Sequence, residues 1–384
     1  MAEFIHGLLE RNARKYSFDE AVKWPEKGVS LTWDELNKRA SSLAYQLKNR
    51  GIKPGDRVAL FMPNRPEFVI GFFGVLKTGA VVVPVNARFT ASEVSYILEN
   101  SGAAALLYDD GLRPVAEDAV KSCSSVAFTF SAGEIWACGK EESFFSASVH
   151  ANPAEILAEI IYTSGTTGKP KGVMLTHAAV YAVASMMAYE CNIKYRNRVL
   201  QLMPLTHSAP LNLLLVGAVY AGAATVLGTF SPQNMVELAA IEKTTHFFGA
   251  PVAYLLAAKL PNFDQYDLSG ERLWIYGGAP MSREAVIQVM QRFGGRFMGV
   301  YGLTEAGPNG SALFPHEHPD FAGSIGSRAT VNAEIRIVDG EGRDVPCGEV
   351  GEVIIRTPSN MIGYYRNEEA TQETLKDLSL TPKL

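Results

Sequence analysis

At 384 residues the chain is long for one hydrophobic core, so two or three subdomains are expected. With 47% hydrophobic and 20% charged residues it has an ordinary globular composition, and a formal net charge of -5 gives no electrostatic ground for a nucleic-acid partner. Cys123, Cys138, Cys191 and Cys347 are far apart and form no CxxC or Cys/His cluster, which fits a reducing compartment better than a disulfide scaffold. The amino-terminal stretch "MAEFIHGLLERNARKYSFDEAVKW" carries charges throughout and has no apolar core, so it does not read as a signal peptide; the expected location is the cytoplasm.

The first half alternates strand and helix signals. "RVALFM" (57–62) is a short apolar run, and "PEFVIGFFGVLKTG" (66–79) has helical spacing and stops at Gly79. "AVVVPV" (80–85) is β-branched. "TASEVSYILENSG" (90–102) reads as a helix opened by a capping box of Thr90 and Glu93 and closed by Gly102. "AALLYD" follows as a strand. This rhythm implies a mainly parallel sheet covered by helices. The uncharged run 211–228 is about as long as a short membrane span, but Ala221-Gly222-Ala223 breaks it, and it reads as a buried helix followed by a buried strand.

The pattern then repeats. Gly74 to Ala80 is similar to Gly217 to Ala223, each preceding a β-branched strand and a hydroxyl-capped helix, the second opened by Ser231 and Pro232. "HFFGAP", "ERLWIYGG" and "RFMGVYG" supply further strands, with helix patterns near 251–260 and 282–294. Beyond about residue 322 the chain alternates apolar and polar residues around an Asp339-Gly340 turn, which predicts a small antiparallel sheet or barrel. The expected fold is α/β. A first subdomain (1–176) ends in a glycine-rich loop, a related second one spans 177–321, and a β-rich subdomain covers 322–384.

That loop carries the chemistry. Residues 163–172, "TSGTTGKPKG", hold three glycines, two lysines, four hydroxyl side chains and one proline directly after the apolar Ile160-Ile161-Tyr162. Such a segment is either a solvent-facing linker or a phosphate cradle, with glycine N–H groups, hydroxyls, Lys169 and Lys171 as donors. It is not a Walker A loop, since Gly165 and Gly168 are too close and Pro170 follows Lys169. A P-loop NTPase is therefore the weakest reading.

"YTSGTTGKPKGV" resembles the signature loop of the adenylate-forming superfamily, which comprises acyl- and aryl-CoA synthetases, peptide-synthetase adenylation domains and firefly luciferases. Three further segments agree in order: "YGGAP" (276–280), "YGLTEAGP" (301–308) and "GEVGEVIIRTPSNMIGYY" (348–365). The resemblance covers essentially the whole chain and implies two α/β subdomains plus a small β subdomain. It also implies that Thr163, Ser164, Gly165, Thr166, Thr167, Gly168 and Lys171 cradle the β- and γ-phosphates of ATP. Gly278, Ala279 and Pro280 would line the adenine, with Tyr301 on its face and Gly302 beside it. Thr304 would bond the α-phosphate and Glu305 would hold Mg²⁺. The implied reaction is attack of a small-molecule carboxylate on the α-phosphate, giving acyl-AMP, followed by transfer to coenzyme A.

His207, in "MPLTHSAPLN", resembles the histidine beside the family's acyl pocket, although Thr206 departs from the usual aromatic and a packed histidine is the competing reading. Phe248, Gly249, Gly277, Gly299, Pro308 and Asn309 would lie near the acyl or aryl group. Phe247 and Phe248 stand where an amino-acid-activating member places an Asp, which favours an apolar or aromatic acid. His177 reads as a helix start. Family members continue past "GYY" to a ribose-binding Asp and a lid domain with a catalytic lysine. Neither is found here, so the expectation is an amino-terminal domain without its lid that adenylates poorly in isolation. Two other readings stay open: an adenylation domain loading a carrier protein, and a catalytically dead domain that serves as a binding protein.

Overall fold

The computed structural model describes residues 4–139, 152–163, 168–270 and 272–376. Among these, two large sheets dominate. The first has seven strands in the order Gly363–Tyr364, Lys171–Thr176, Leu157–Thr163, Val81–Val85, Arg57–Phe61, Ala103–Tyr108, Phe128–Ser131. The last five run parallel and the first two pair antiparallel at one edge. The second has nine, in the order Arg328–Ala329, Gly310–Leu313, Arg296–Gly302, Leu273–Gly277, His246–Gly249, Arg198–Gln201, Ala224–Leu227, Glu20–Trp24, Val29–Thr32. Its central strands are parallel, with antiparallel strands at both edges. A two-stranded antiparallel sheet, Glu334–Val338 with Glu352–Arg356, turns at Asp339, as the period-two pattern predicts.

Helices Trp33–Asn49, Pro66–Lys77, His177–Glu190 and the turns from Ala209 to Ala221 fill the space between the two sheets. One core joins Leu60, Val82 and Ile161 of the first sheet, through Leu43, Phe72, Val180 and Leu215, to Val22 and Leu227 of the second. Separate cores cover the outer faces: Val94, Ile97 and Ala116 on the first sheet, and Val236, Tyr254 and Val289 on the second. Strands covered on both sides need apolar residues at every position, which is why Val81–Val85 is buried throughout.

The local signals act as read. Thr90 accepts from Glu93 N while Glu93 bonds back to Thr90 N, and Gly102 closes the helix at φ 61. The run 211–228 becomes a π-helix Ala209–Val216, an α-helix Gly217–Ala221 and the strand Ala224–Leu227. Gly79 (φ 80) and Gly222 (φ 75) each turn a helix into a buried strand, so the repeated GxxxxGA stretch has the same structural meaning in both halves. Two connections escape the repeat. Glu20–Trp24 and Val29–Thr32, early in the chain, pair onto the second sheet, and Gly363–Tyr364, late in the chain, pairs onto the first.

The amino-terminal helix Ile5–Lys15 docks on helix His177–Glu190. Ile5 N–H donates to His177 Nδ1 at 3.2 Å, and Phe4, His6 and His177 pack ring against ring. His177 opens its helix behind the Thr176 cap, as the sequence predicts. Burial pushes His6 down to about 4 and His177 down to about 3. The unfolded chain takes up these protons near pH 6.5 and the folded chain resists them. Stability is therefore present above pH 6.5 and lost as pH falls toward about 4. Thermal melts across that window should show a falling Tm, with a shallower fall in His6→Phe, whose ring packs without titrating. Parallel slopes would remove this account.

Candidate active site

Of the predicted phosphate loop, Ser164, Gly165, Thr166 and Thr167 lie outside the described residues. Its two ends are clear. Thr163 and Lys171 are paired across the antiparallel strands, and Gly168 sits at φ 93 with open space where a Cβ would stand. Helix Ala91–Ser101 braces both flanks: Tyr162 Oη donates to Asn100 Oδ1 at 2.6 Å, and Tyr96 Oη donates to Pro170 O at 3.0 Å. Lys169 lies over the Tyr96 ring, 5.8 Å from its centroid.

Segment 361–365 joins this loop to the 301–309 motif. Met361 N donates to Glu305 O and Tyr365 N to Gly172 O, both at 2.7 Å. Between them Tyr364 Oη donates to Glu305 Oε1 at 2.7 Å, while Lys171 Nζ stands 5.1 Å from the centroid of the Tyr364 ring. Burial, reinforced by the Glu305 carboxylate, pushes the Tyr364 phenol up to about 12, so it stays protonated and donating. The sequence singled out "GYY" without a role for Tyr364. Its signal was the motif itself.

On the second sheet the predicted residues gather at the carboxyl ends of parallel strands, where open α/β sheets bind ligands. Gly277 pairs with Val300, so Gly278 and Tyr301 stand at adjacent strand ends. Gly278, Ala279 and Pro280 are exposed; Tyr301, Gly302, Thr304 and Glu305 are half-buried. Ser208 and Thr304 share a hydrogen bond at 2.8 Å, which joins the His207 segment to this motif. Asn64, beyond the strand Arg57–Phe61, fixes that segment: Nδ2 donates to Met203 O at 2.9 Å and Oδ1 accepts from Leu205 N at 2.9 Å. His207 is exposed, yet enclosed enough by protein that burial lowers its pKa. The Thr206 hydroxyl is buried and has no partner among the described residues.

The six predicted acyl-pocket residues divide. Phe248 faces the core shared with Met187, Leu213 and Met298, and Gly277 lies two residues beyond Ile275 on the same face. A Cβ on Gly249 or Gly299 would instead meet Phe247 and Tyr254, or Tyr276, on the opposite face. Pro308 and Asn309 border a narrow cleft with Met186, Met187, Met298 and Tyr301, whose free space, about 10 Å³, admits roughly one water. The Asn309 amide is fully used. Nδ2 donates to Asn332 Oδ1 (2.7 Å) and Thr357 Oγ1 (2.9 Å), and Oδ1 accepts from Gly310 N (2.8 Å) and Thr330 Oγ1 (2.5 Å). A larger depression of about 550 Å³, between 263–270 and 292–295, lies at the amino ends of the strands, away from every motif.

The AMP-binding enzyme family matches residues 9–365. The chain belongs to this family. It is 32% identical to a feruloyl-CoA synthase of an Amycolatopsis species, over 96% of this chain and 72% of that protein. It is 33% identical to the long-chain-fatty-acid–CoA ligase FadD13 of Mycobacterium tuberculosis, over 96% of this chain and 73% of that protein. The inhibitor-bound crystal structure of the amino-terminal domain of FACL13 from the same organism superposes with a TM-score of 0.90 at 31% identity, covering 98% of this chain and 94% of that one. Its class is AMP-forming acid–CoA ligase. The CoA ligases of this family in general use ATP, Mg²⁺ and coenzyme A. Among the described residues no helix is long and apolar enough to cross a membrane.

Because Asn309 is 1% exposed and satisfies four partners, Asn309→Ala should destabilise the protein by about 3 kcal/mol, seen as a lower urea midpoint. A change under about 0.5 kcal/mol would show that the network is dispensable.

Proposed function

We propose that the strand ends of the two sheets form one ATP-dependent adenylation site that activates a carboxylic acid. The observation that carries this reading is the line Lys171–Tyr364–Glu305, with Thr304 beside it, because it brings a cation, a carboxylate and hydroxyl donors from two sheets to one place. Thr163, Gly168 and Lys171, with the loop between them, would receive the β- and γ-phosphates. The exposed Gly278-Ala279-Pro280 edge and Tyr301 would hold the adenine, and Thr304 would bond the α-phosphate.

The residues suit a magnesium ion. Among the described residues no cation pairs with Glu305, and no cluster of three or more metal-ligating side chains exists. A single carboxylate is what Mg²⁺ takes when phosphates and water supply its remaining ligands. Glu305 would hold it, and its chemistry there is to neutralise phosphate charge. Tyr364 holds the Glu305 carboxylate through one oxygen, so the carboxylate would be oriented to receive the ion. Lys171 adds charge next to the phosphates. No enzyme nucleophile is required, since the substrate carboxylate attacks and pyrophosphate leaves.

The acyl or aryl group would enter the cleft between Met186, Met187 and Met298. Since the cleft is nearly closed, binding requires the methionines to move, and unbranched thioether side chains repack readily. Coenzyme A would then accept the acyl group.

The test is thermal stability with non-hydrolysable acyl-AMP analogues of short, long and aromatic acyl groups. A ligand that binds only the folded state raises Tm by mass action. A shift with one acyl class supports the reading and names the substrate class; no shift with any analogue, in a protein that melts cooperatively, sinks it. Met298→Ala should move preference toward bulkier acyl groups by about tenfold, as expected for space worth one or two methylenes.

A further inference from the structure

The strand that delivers the phosphate loop contains a charged residue type where its neighbours are apolar: Leu157-Ala158-Glu159-Ile160-Ile161. Glu159 is 0% exposed, and so is Asn212 in the π-helix facing it. Asn212 Nδ2 donates to Glu159 Oε1 at 2.5 Å. The other two oxygens of the pair, Glu159 Oε2 and Asn212 Oδ1, are both buried without a partner among the described residues. An ionised carboxylate with one neutral donor in such a place would carry a large desolvation penalty. One proton on Oε2 removes both orphans together, because it can be donated to Asn212 Oδ1.

We propose that Glu159 is held as a neutral carboxylic acid in a two-hydrogen-bond pair with Asn212, and that this pair is a positioning element of the adenylation site. The positioning role rests on the proposed reading of that site. Glu159 lies on the strand whose last residue, Thr163, opens the phosphate loop. Asn212 lies on the π-helix that begins directly after His207 and Ser208, and Ser208 holds Thr304. The pair therefore sets the distance between the phosphate-loop strand and the segment that borders the α-phosphate and acyl positions. π-Helical turns are rare and concentrate at functional sites, which agrees with its placement.

Among the described residues nothing offers the carboxyl a counter-charge. Strands Val81–Val85 and Lys171–Thr176 and helix His177–Glu190 flank this strand, and the titratable groups they carry are Lys171, His177, Tyr181, Tyr189 and Glu190, with Tyr162 on the strand itself. None of these acts on Glu159; burial raises its pKa, to about 7, and the Asn212 bond offsets part of the rise. A folded pKa above the unfolded value of 4.5 means that this stabilisation is complete below pH 4.5 and is lost as pH rises through about 7.

The experiment compares the wild type with Glu159→Gln, Glu159→Leu and Asn212→Leu. Gln keeps both hydrogen bonds, since its amide can donate to Oδ1 and accept from Nδ2, whereas either leucine leaves one orphaned polar group. Infrared difference spectra below pH 7 should show a protonated carboxyl C=O band in the wild type that Glu159→Gln lacks. The wild type should lose Tm relative to Glu159→Gln as pH rises through about 7. Glu159→Gln should bind the acyl-AMP analogue like the wild type, while both leucine variants bind about tenfold more weakly though still cooperatively folded.

Absence of the carboxyl band, or Glu159→Gln as impaired as Glu159→Leu, overturns the acid pair. Unimpaired binding by both leucine variants overturns the positioning role. If a leucine variant does not fold, Asn212→Ser serves in its place under the same two outcomes. If the wild type binds no analogue, the site reading fails and the positioning role with it, while the infrared band still decides the protonation of Glu159.

Discussion

The site requires strand ends from two different sheets to face each other, and the constraint that holds them there is the helix layer shared between the sheets. Neither sheet can bury its inner face alone. Val82 and Ile161 on one side and Val22 and Leu227 on the other reach a single continuous core only through the helices between them. Apolar packing of this kind is strong and nearly directionless. It brings the sheets together and leaves their relative position, on the scale of an ångström, to other forces.

Those forces are a few buried or half-buried polar ties, and they concentrate where the candidate site is. Asn64 clasps the backbone of 203–205, Gln201 Nε2 donates to Pro210 O at 2.6 Å, and Glu159 holds Asn212. Segment 361–365 completes the set, with one backbone bond to each motif and the Tyr364 hydroxyl on Glu305. A slipped apolar contact loses little, whereas a hydrogen bond displaced by an ångström is gone and strands its partners. The same chain thus uses burial to build the layers and polar ties to fix the geometry on which nucleotide chemistry depends.

Much of the architecture was legible in the sequence because it is local. A capping box at Thr90, glycines at Gly79 and Gly222 and β-branched runs state their conformations within a few residues. The antiparallel pairing around Asp339 is equally plain. The attachment of Glu20–Trp24 to the second sheet and of Gly363–Tyr364 to the first was not legible, because strand pairing over such sequence distances leaves no periodic trace. The site shows the same division. Motifs named the strand ends that carry Thr304, Glu305 and Lys171, but motif reading is blind to side-chain direction. It grouped Gly249 and Gly299 with Phe248 and Gly277, although strand alternation sends their would-be side chains to the opposite face. Asn309 borders the cleft with Met187 and Met298, and its amide braces the 301–309 turn, a use that no motif states.

Glu159 shows why a buried acid need not be a flaw in such a core. An ionised carboxylate there would oppose the burial that builds the layer, and a leucine would pack without fixing position. A neutral acid can do what neither does: it donates and accepts at once, so one amide satisfies it completely and holds it in a single orientation. That complementarity explains why an acid and an amide face each other across the sheet–helix boundary. It also implies that the tie weakens when the proton leaves, which links the position of the strand Leu157–Thr163 to a group outside the candidate site.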